Sequence, residues 1–459
     1  MTSLGTIIKR LLNVKDIIVE SIKVEEKQGL KSLHIHLKPS KRYRFRCSCC
    51  QRVCPIYDGE SGKEPGVWRS LDWGGLQVFL HFPTCRVNCP EHGVKVSYVP
   101  WAFAHSHFTR AFDLLAAWLA TTGSKSTVSE LMRIDWKTVG RCINRARCFL
   151  EPDPSKRFDH LSKIGIDETS YQSGHKYLTV VVNHNDGSVV WAHEGHDTQT
   201  LSLFFEQLTE EQRQSIKVVS GDGARWIDAC IKKYIPHASR CMDRFHVVQW
   251  ANEALDEVRR HLWRQASHKL KQLIDGYKKT KGKKNLTDKQ KLELQKQTQE
   301  VSRLKGGKFA LGKDPNNLTS RQETYLKAVE TCSPRLFRAY SLKETLRLAL
   351  KATSVEQADE LIDSWRNMAW RSKIPQMVEL NRKIKRHKSN ILNAINCRLS
   401  NGRVEAINNK IQLIIRKSFG FKNEQSLINM ILLVCSSLKI PLPNRTCDPS
   451  IAHIQFEPI

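Results

Sequence analysis

Two short segments near the N-terminus hold cysteine and histidine at metal-ligand spacing. Two residues separate Cys47 from Cys50, and the same spacing recurs between Cys89 and His92. Because two side chains on one tight turn can converge on one ion, the pairs predict a tetrahedral, structural Zn²⁺ site in a zinc ribbon. Three further cysteines of these segments remain alternative ligands: Cys49, Cys54 and Cys85. A set of free structural thiols is the alternative to a metal site.

Three carboxylates stand where two strands and a helix could bring them together. Asp167 and Asp222 each follow a short apolar run, which predicts both at the ends of strands. Glu405 belongs to a segment that opens a helix after Asn401-Gly402. Acids so placed can hold two Mg²⁺ ions about 4 Å apart, one activating a water or 3′-hydroxyl and one stabilising the leaving oxygen at phosphorus. A cap or turn role for each acid is the alternative, and spacing alone does not decide.

The segment after the cysteines has the pattern of a helix-turn-helix. Apolar spacing predicts three helices, over 109–121, 127–132 and 136–149. Ser126 and Asp135 are the predicted N-caps. The last helix carries three candidate DNA contacts: Lys137, Arg141 and Arg145. A short helix, a turn and a basic second helix is the layout that places a recognition helix in the major groove. A three-helix packing domain without DNA is the alternative.

The elements that must position these residues change along the chain. Strand alternation covers 17–37, and the polar, proline-containing stretch 151–155 predicts a linker. An α/β pattern follows, with a hairpin signature at Asn185-Asp186-Gly187. From about 250 to 400 the chain is helical and basic. One dense run there is predicted to contact the DNA backbone, with a solvated face as the alternative: Lys278, Lys279, Lys281, Lys283 and Lys284.

Composition favours a polyanionic partner. The 459 residues include 74 Lys and Arg against 46 Asp and Glu, a net charge of +28, and such an excess on a globular chain favours nucleic acid over a merely basic surface. A hydrophobic share of 40% excludes the composition of disordered chains. We expect no membrane span and no secretory signal. The 14 cysteines are therefore expected in a reducing compartment, not in disulfides.

Together, these segments resemble the ISL3 family of bacterial insertion-sequence transposases, in the same order over nearly the whole chain. The matching stretches are 47–57, 89–94 (CPEHGV), 99–102 (VPWA), 124–126, 130–133, 164–168 (IGIDE), 175–179, 243–248 (DRFHVV), 400–411 (SNG, then EAINNKI from 405) and 419–421. The DRFH piece and the pattern Asn-Gly-x-x-Glu-x-x-Asn are specific to this family.

The resemblance implies an RNase H-like catalytic domain whose DDE triad maps onto Asp167, Asp222 and Glu405. It implies a helical insertion before Glu405, which explains the long interval after Asp222. It also implies that the zinc ligands are Cys47, Cys50, Cys89 and His92. Asp243 competes for the second position, but Asp222 is preferred because Asp243 precedes a histidine at the next strand, which is typical of a positioning role.

The predicted fold class is α+β and multidomain: a zinc ribbon, a helix-turn-helix, and an RNase H-like α/β domain interrupted by a helical insertion. The predicted domains are 1–105 (strands and zinc), 106–150 (helix-turn-helix), 160–250 (first catalytic part), 251–395 (basic insertion) and 396–445 (Glu-bearing helix and remainder).

The expected function is binding of terminal inverted repeats, followed by strand cleavage and transfer. It would use two Mg²⁺ (or Mn²⁺) and one structural Zn²⁺. The expected partners are double-stranded DNA and at least one further copy of the chain, without a membrane, in the cytoplasm at the bacterial nucleoid. The alternatives are a structure-specific nuclease, which cleaves without joining, and a catalytically silent DNA-binding regulator.

Overall fold

A computed structural model describes residues 4–12, 14–27, 29–58, 65–280, 286–399 and 402–442. In chain order the strands are β1 (Ile17–Lys27), β2 (Leu30–Pro39), β3 (Ile56–Asp58), β4 (Gly66–Trp73), β5 (Leu76–Phe82), β6 (Arg86–Cys89), β7 (Gly93–Val96), β8 (Lys163–Gln172), β9 (Lys176–Asn183), β10 (Val189–Glu194), β11 (Val218–Gly221) and β12 (Ser239–Met242). The helices are α1 (Leu4–Leu12), α2 (Arg110–Thr122), α3 (Lys125–Met132), α4 (Trp136–Leu150), α5 (Thr198–Gln207), α6 (Glu210–Ser215), α7 (Arg225–Tyr234), α8 (Arg244–Thr280), α9 (Asp288–Gly306), α10 (Lys308–Gly312), α11 (Ser320–Cys332), α12 (Pro334–Ala349), α13 (Val355–Arg371), α14 (Pro375–Asn396), α15 (Gly402–Lys417) and α16 (Glu424–Cys435).

The chain forms two compact units, and each is assembled from separate stretches. The first comprises Met1–Arg157, Tyr171–Gly174 and Asn409–Ile459, and the second comprises Phe158–Ser170 and His175–Asn408. Within the described residues, none of the helices is both long and apolar enough to cross a membrane.

The first unit begins with a four-stranded sheet in the order β1-β2-β5-β4. Alternation along β2 turns Leu33, Ile35 and Leu37 to the buried face, where they pack with Leu80 and Trp101. A smaller sheet, β3-β6-β7, has its first strand between β2 and β4 in the chain and lies beside the cysteine cluster. The predicted strands over 17–37 are confirmed, while α1 was not predicted.

The three predicted helices of the helix-turn-helix are present as α2, α3 and α4, and each begins at a side-chain cap. Thr109, Ser124 and Asp135 accept hydrogen bonds from the backbone N–H groups of the first turns. The prediction of Ser126 as the cap of α3 is wrong, because the helix starts two residues earlier at Lys125. Arg133 makes the predicted turn in left-handed backbone, with φ of 53°.

The residue that follows α4 packs against that helix. Helix α4 stops at Leu150, as the prolines predict. Glu151, however, is buried and forms ion pairs with Arg147 and Arg157. Of the stretch predicted as a linker, only Glu151 therefore packs against α4; residues 152–155 are exposed, and the chain enters a 3₁₀ turn over Pro154–Phe158.

The second unit contains a five-stranded sheet in the order β10-β9-β8-β11-β12. Strands β9 and β10 pair antiparallel around the predicted hairpin, where Gly187 has φ of 77°. Strand β11 runs parallel to both β8 and β12. Helices α5 and α7 cover the sheet with apolar side chains such as Phe204 and Ile227.

The predicted helical region after residue 250 is confirmed as α8 to α14. These helices share one buried core, which includes Leu336, Leu346, Ile362, Trp365 and Met377. Trp365 is fully buried, and its indole N–H donates to the Leu342 carbonyl at 2.7 Å. These helices therefore form a hydrophobic core that also includes Met242 of β12.

Candidate active site and metal centre

The first site is the cluster of sulfur and nitrogen ligands beside the small sheet. The Sγ atoms of Cys47, Cys50 and Cys89 and a ring nitrogen of His92 all lie within 4.8 Å of one another. The Cys50 Sγ–Cys89 Sγ and Cys89 Sγ–His92 Nδ1 distances are both 3.6 Å. Ligands about 2.3 Å from a tetrahedral Zn²⁺ would be roughly 3.8 Å apart. The four predicted side chains therefore have the donor set and the spacing of a closed zinc site.

Two of the alternative ligands lie in the same cluster. Cys54 and Cys85 are buried and pack with Cys47 and Cys89, and the Cys54 Sγ donates to the Arg52 carbonyl at 3.3 Å.

The hydrogen bond from His92 lowers the pKa of the Cys89 thiol to about 6, as expected of a cysteine that ligates as a thiolate.

The second site is a cavity of about 500 Å³ in the second unit. Acidic and hydrogen-bonding side chains share its wall: Asp167, Glu168, Asp243, His246, Glu405 and Asn408. It brings together residues that are far apart in sequence, because β8 and α15 form opposite sides. Two of the three predicted acids, Asp167 and Glu405, thus line one cavity.

Asp167 lies in the middle of β8, so its prediction as a strand-end residue is wrong. The strand continues to Gln172 because alternation persists, with Thr169 and Tyr171 buried. The Asp167 carboxylate is held at both oxygens: Oδ1 accepts from the Glu168 N–H at 2.8 Å, and Oδ2 accepts from Asn408 Nδ2 at 2.6 Å. Its orientation is therefore fixed by the protein alone.

Negative charge is crowded around Asp167. Burial raises the pKa of Asp167, and the Asp222 carboxylate adds to the rise, against hydrogen bonds that lower it. Burial also raises the pKa of Glu168 to about 7, with Asp222 and Asp167 as further causes. Asp222 follows β11 and accepts from the Ala224 N–H at 2.9 Å. It thus acts electrostatically on both acids of β8, although it is absent from the cavity lining described above.

Asp243 follows the neighbouring strand β12 and begins helix α8. Its Oδ1 accepts from the Phe245 N–H at 2.9 Å, and its Oδ2 lies 3.7 Å from His246 Nε2. Its own N–H donates to the Gly221 carbonyl at 3.0 Å, which ties the ends of β11 and β12 together. These contacts favour the positioning role that the sequence predicts for Asp243.

Helix α15, which carries Glu405, packs closely on β8 at Gly165. Val404 is buried, and a Cβ built on Gly165 would lie 2.6 Å from Val404 Cγ2. Arg403 donates to the carbonyls of His184 and Asn185 beyond the end of β9. Only glycine at position 165 lets α15 approach this closely. Glu405 itself is exposed in the first turn of the helix.

The predicted DNA contacts of α4 differ in their surroundings. Lys137 and Arg141 are exposed. Arg145 is instead half-buried and donates to both oxygens of the fully buried Asp113, at 2.6 and 3.0 Å. Arg145 thus joins α4 to α2, and the outward-facing cations of α4 are Lys137 and Arg141.

The structure describes only part of the lysine run. Lys278 is exposed near the end of α8. Lys281, Lys283 and Lys284 lie outside the described residues, as does the side chain of Lys279.

Comparison with protein families covers the carboxylate cavity and the helix-turn-helix. A family model described as "Transposase", of the ISL3 DDE class, matches residues 164–431, which hold the carboxylate cavity. A second, described as the helix-turn-helix domain of transposase family ISL3, matches residues 99–147. This chain belongs to the ISL3 transposase family. Its predicted resemblance is confirmed, as is its predicted helix-turn-helix.

Individual relatives of this ISL3-family transposase support the same assignment along the chain. It is 41% identical over 451 residues to the transposase for insertion sequence element IS1557 in two strains of Mycobacterium tuberculosis, covering 97% of this chain and 98% of theirs. It is 24% identical over 412 residues to the transposase for insertion sequence element IS1001 of Bordetella parapertussis, covering 89% and 92%.

Two residues of the carboxylate site were not predicted as part of it. Glu168 directly follows Asp167, and neighbouring residues of a regular strand point to opposite faces, so sequence alone gives no signal that both line one cavity. Asn408 lies three residues after Glu405 on α15 and so shares its face. Asn408 bonds Asp167, while its buried Oδ1 has no hydrogen-bond partner within the described residues.

Proposed function

We propose that this transposase binds the terminal inverted repeats of its insertion sequence and cleaves and joins DNA strands at Asp167, Asp222 and Glu405. The observation that carries the proposal is the convergence of Asp167 and Glu405 on one cavity, with the Asp222 charge acting on the same acids. The cavity lies within the region that matches the ISL3 DDE family model, and a helix-turn-helix precedes it in the chain. It is therefore the expected site of strand cleavage and joining.

The strand order supports an RNase H-like core. The central strand β8 carries Asp167 and pairs in parallel with β11, which ends just before Asp222. The long helical insertion α8 to α14 then intervenes before α15 supplies Glu405. An acid on the central strand, one after its parallel neighbour and one on a later helix is the arrangement that the resemblance implies.

The cavity suits divalent metal ions of the Mg²⁺ type. Its donors are hard oxygens, which Mg²⁺ prefers. The buried Oδ1 of Asn408 is unpartnered in the described structure. Burial, with the Asp222 charge as a further cause, raises the pKa of both Asp167 and Glu168. Asp167, Asp222 and Glu405 would hold the metals. Metal ions bound there would activate a water or 3′-hydroxyl and stabilise the leaving oxygen of a phosphodiester.

The protein's own contribution is to fix these side chains before DNA arrives. Asn408 holds Asp167 by one oxygen, and the Glu168 N–H holds the other. The Ala224 N–H sets the Asp222 carboxylate in its turn. Preorganised ligands need no rearrangement during the reaction, which is how a rigid site accelerates it.

DNA binding is assigned to the first unit, helped by the insertion. Lys137 and Arg141 of α4 would enter the major groove, and the zinc cluster would stabilise the adjoining small sheet. The lysine run around Lys278 would contact phosphates without reading sequence. Because two element ends must be held together, we propose an active homodimer or larger assembly, working at the bacterial nucleoid.

Conservative variants of the acids test the proposal. Asp167→Asn, Asp222→Asn and Glu405→Gln keep shape but remove charge, so each should abolish Mg²⁺-dependent cleavage and joining while repeat binding stays near wild type. The assay uses the full chain with a labelled duplex from the gene's own flanking repeats, followed by denaturing electrophoresis. Glu211→Gln, on the exposed face of α6, is the matched control and should remain active.

Asp243→Asn separates the two candidates for the second acid. It should retain part of the activity if Asp243 only positions α8. An inactive Asp243→Asn beside an active Asp222→Asn would reassign the second acid. Joining activity in all of the acid variants would refute the two-metal site, and cleavage without any joining would favour the nuclease.

A further inference from the structure

The first unit holds a second cavity, of about 540 Å³, that the proposed chemistry does not use. It lies between α1, the larger sheet and the start of α2. Four aromatic side chains line it: Tyr43, Trp73, Tyr98 and Trp101. Ile35, Val78 and Leu80 of the buried sheet face are also part of its wall. Its size and mixed aromatic wall are those of a site for one small organic group.

One side chain of the wall lacks a partner. Trp101 is 4% exposed and packs edge-on against Phe82 and Trp68, with ring centroids 5.2 and 6.0 Å apart. Within the part of the chain that the structure describes, its indole Nε1–H has no hydrogen-bond acceptor. Buried N–H donors are nearly always paired, so this one indicates a missing acceptor.

The rim of the cavity is cationic. Arg42 and Arg44 line it, are exposed, and have no carboxylate within 4 Å among the described residues. Arg110 donates to the Tyr98 hydroxyl and lies over the Tyr98 ring, 5.6 Å from its centroid. The lining contains two acids, Asp16 and Asp72. Asp72 is already paired with two arginines of this unit. The rim therefore attracts anions.

The cavity adjoins the helix-turn-helix directly. Arg110 and Ala111, which begin α2, form part of its wall. Asp72, also in the wall, bonds Arg133 in the turn between α3 and α4. A DNA segment near the recognition helix would thus be close to an aromatic cavity with a phosphate-binding rim.

We propose that this cavity binds one unpaired nucleobase of the DNA held by the transposase, with its flanking phosphates on the arginine rim. A base has two π-faces that stack on aromatic rings and ring-edge acceptors that can pair with the Trp101 N–H. The phosphates on either side suit Arg42 and Arg44. The inference rests on the proposed DNA-binding function and adds a pocket for a single unstacked base.

The test uses the full-length protein and three duplexes of one sequence: fully paired, with one bulged adenine, and with an abasic site in place of that adenine. Equilibrium binding by fluorescence anisotropy should show about tenfold tighter binding of the bulged duplex, since stacking of one base on protein aromatics has roughly this effect. The abasic duplex should lose most of that gain. Equal gain from the abasic site would mean that flexibility or phosphate is recognised, and would overturn the proposal.

Two variants assign the preference to this cavity. Ala111→Leu fills it while keeping a good helix former in α2, and Trp101→Phe removes the N–H while keeping a ring. Both should lose the preference for the bulge and bind paired DNA as the wild type does, whereas Ala111→Ser should keep the preference. A preference unchanged in both variants would place the base elsewhere. Failure of the wild type to bind any duplex would refute the proposed function itself, whereas equal binding of all three would refute the base pocket alone.

Discussion

A single methyl group on Gly165 should disable the active site without touching an acid. Gly165 lies two residues before Asp167 in β8, and its missing side chain leaves room for α15. A Cβ there would lie 2.6 Å from Val404 Cγ2, 2.9 Å from His184 Nε2 and 3.3 Å from Ser220 Oγ. All three neighbours are buried, so none can swing into solvent.

The size of the effect follows from these distances. Carbon atoms pack at about 3.5–4.0 Å, so Gly165→Ala requires Val404 to move by roughly 1 Å. Overpacking of this kind typically destabilises a fold by about 1–3 kcal/mol. Since Glu405 directly follows Val404, the same shift moves the acid, and a misplacement of about 1 Å can slow a reaction by roughly a hundredfold.

Two measurements on the full chain check this expectation. Thermal unfolding should show the modest destabilisation, and single-turnover cleavage of a repeat duplex should show the larger rate loss, with repeat binding preserved. Val404→Ala removes the clashing methyl, so the double variant should recover part of the rate. Gly312→Ala, whose Cβ would meet only Asn252 Oδ1 at 3.9 Å, is the control. Wild-type cleavage by Gly165→Ala, or no recovery in the double variant, would refute the proposed packing.

Three further predictions concern metal, pH and salt. Cys89→Ser should lose about one bound zinc per chain together with repeat binding, while Cys148→Ser, at an exposed thiol, should lose neither; a metal-free chain that still binds repeats would contradict this. Burial lowers the pKa of His184 to about 4, so the unfolded chain binds more protons and stability should fall, by up to about 3 kcal/mol, as pH drops from about 6.5 to 4. Denaturant titrations across that range should show the fall flattened in His184→Gln, and an identical pH profile would be the opposing result. Replacing the lysine run that begins at Lys278 with glutamine should weaken binding to every DNA sequence and reduce its salt dependence in anisotropy titrations; an unchanged salt slope would mean a solvated face.

Local signals in the sequence predict most of the elements. Asp135 before an apolar-periodic stretch predicts the start of α4, and Asn185-Asp186-Gly187 predicts the β9–β10 hairpin, because both depend on neighbours within a few residues. The full length of β8 is harder to predict. Its polar residues after Ile166 resemble a strand end. The strand nevertheless continues beyond Lys163–Gly165, the part that pairs with β11, with β9 as its other neighbour in the sheet.

The two candidate sites also differ in how far they depend on local sequence. The candidate zinc ligands come from two short segments whose x-x spacing is visible locally. The acids and Asn408 meet only because α15 packs on β8, and no local pattern encodes that contact. Arg145 illustrates the converse case. Its charge on a basic helix predicts DNA contact, whereas the structure pairs it with Asp113, 32 residues away in sequence. Composition cannot distinguish a cation that faces solvent from one that closes a core.

The packing of α16 has a consequence for how a cell makes this protein. This helix, the last among the described residues, is mostly apolar and packs on α2 and α4, where Asn429 Nδ2 donates to Asn144 Oδ1 at 3.3 Å. The helix-turn-helix therefore lacks part of its core until the ribosome has passed residue 435. A chain cut short by a premature stop codon or a frameshift would lose α16, exposing the apolar faces of α2 and α4. Under the proposed function, such fragments should compete poorly for the element's ends, so that translation must pass residue 435 before the protein can occupy them.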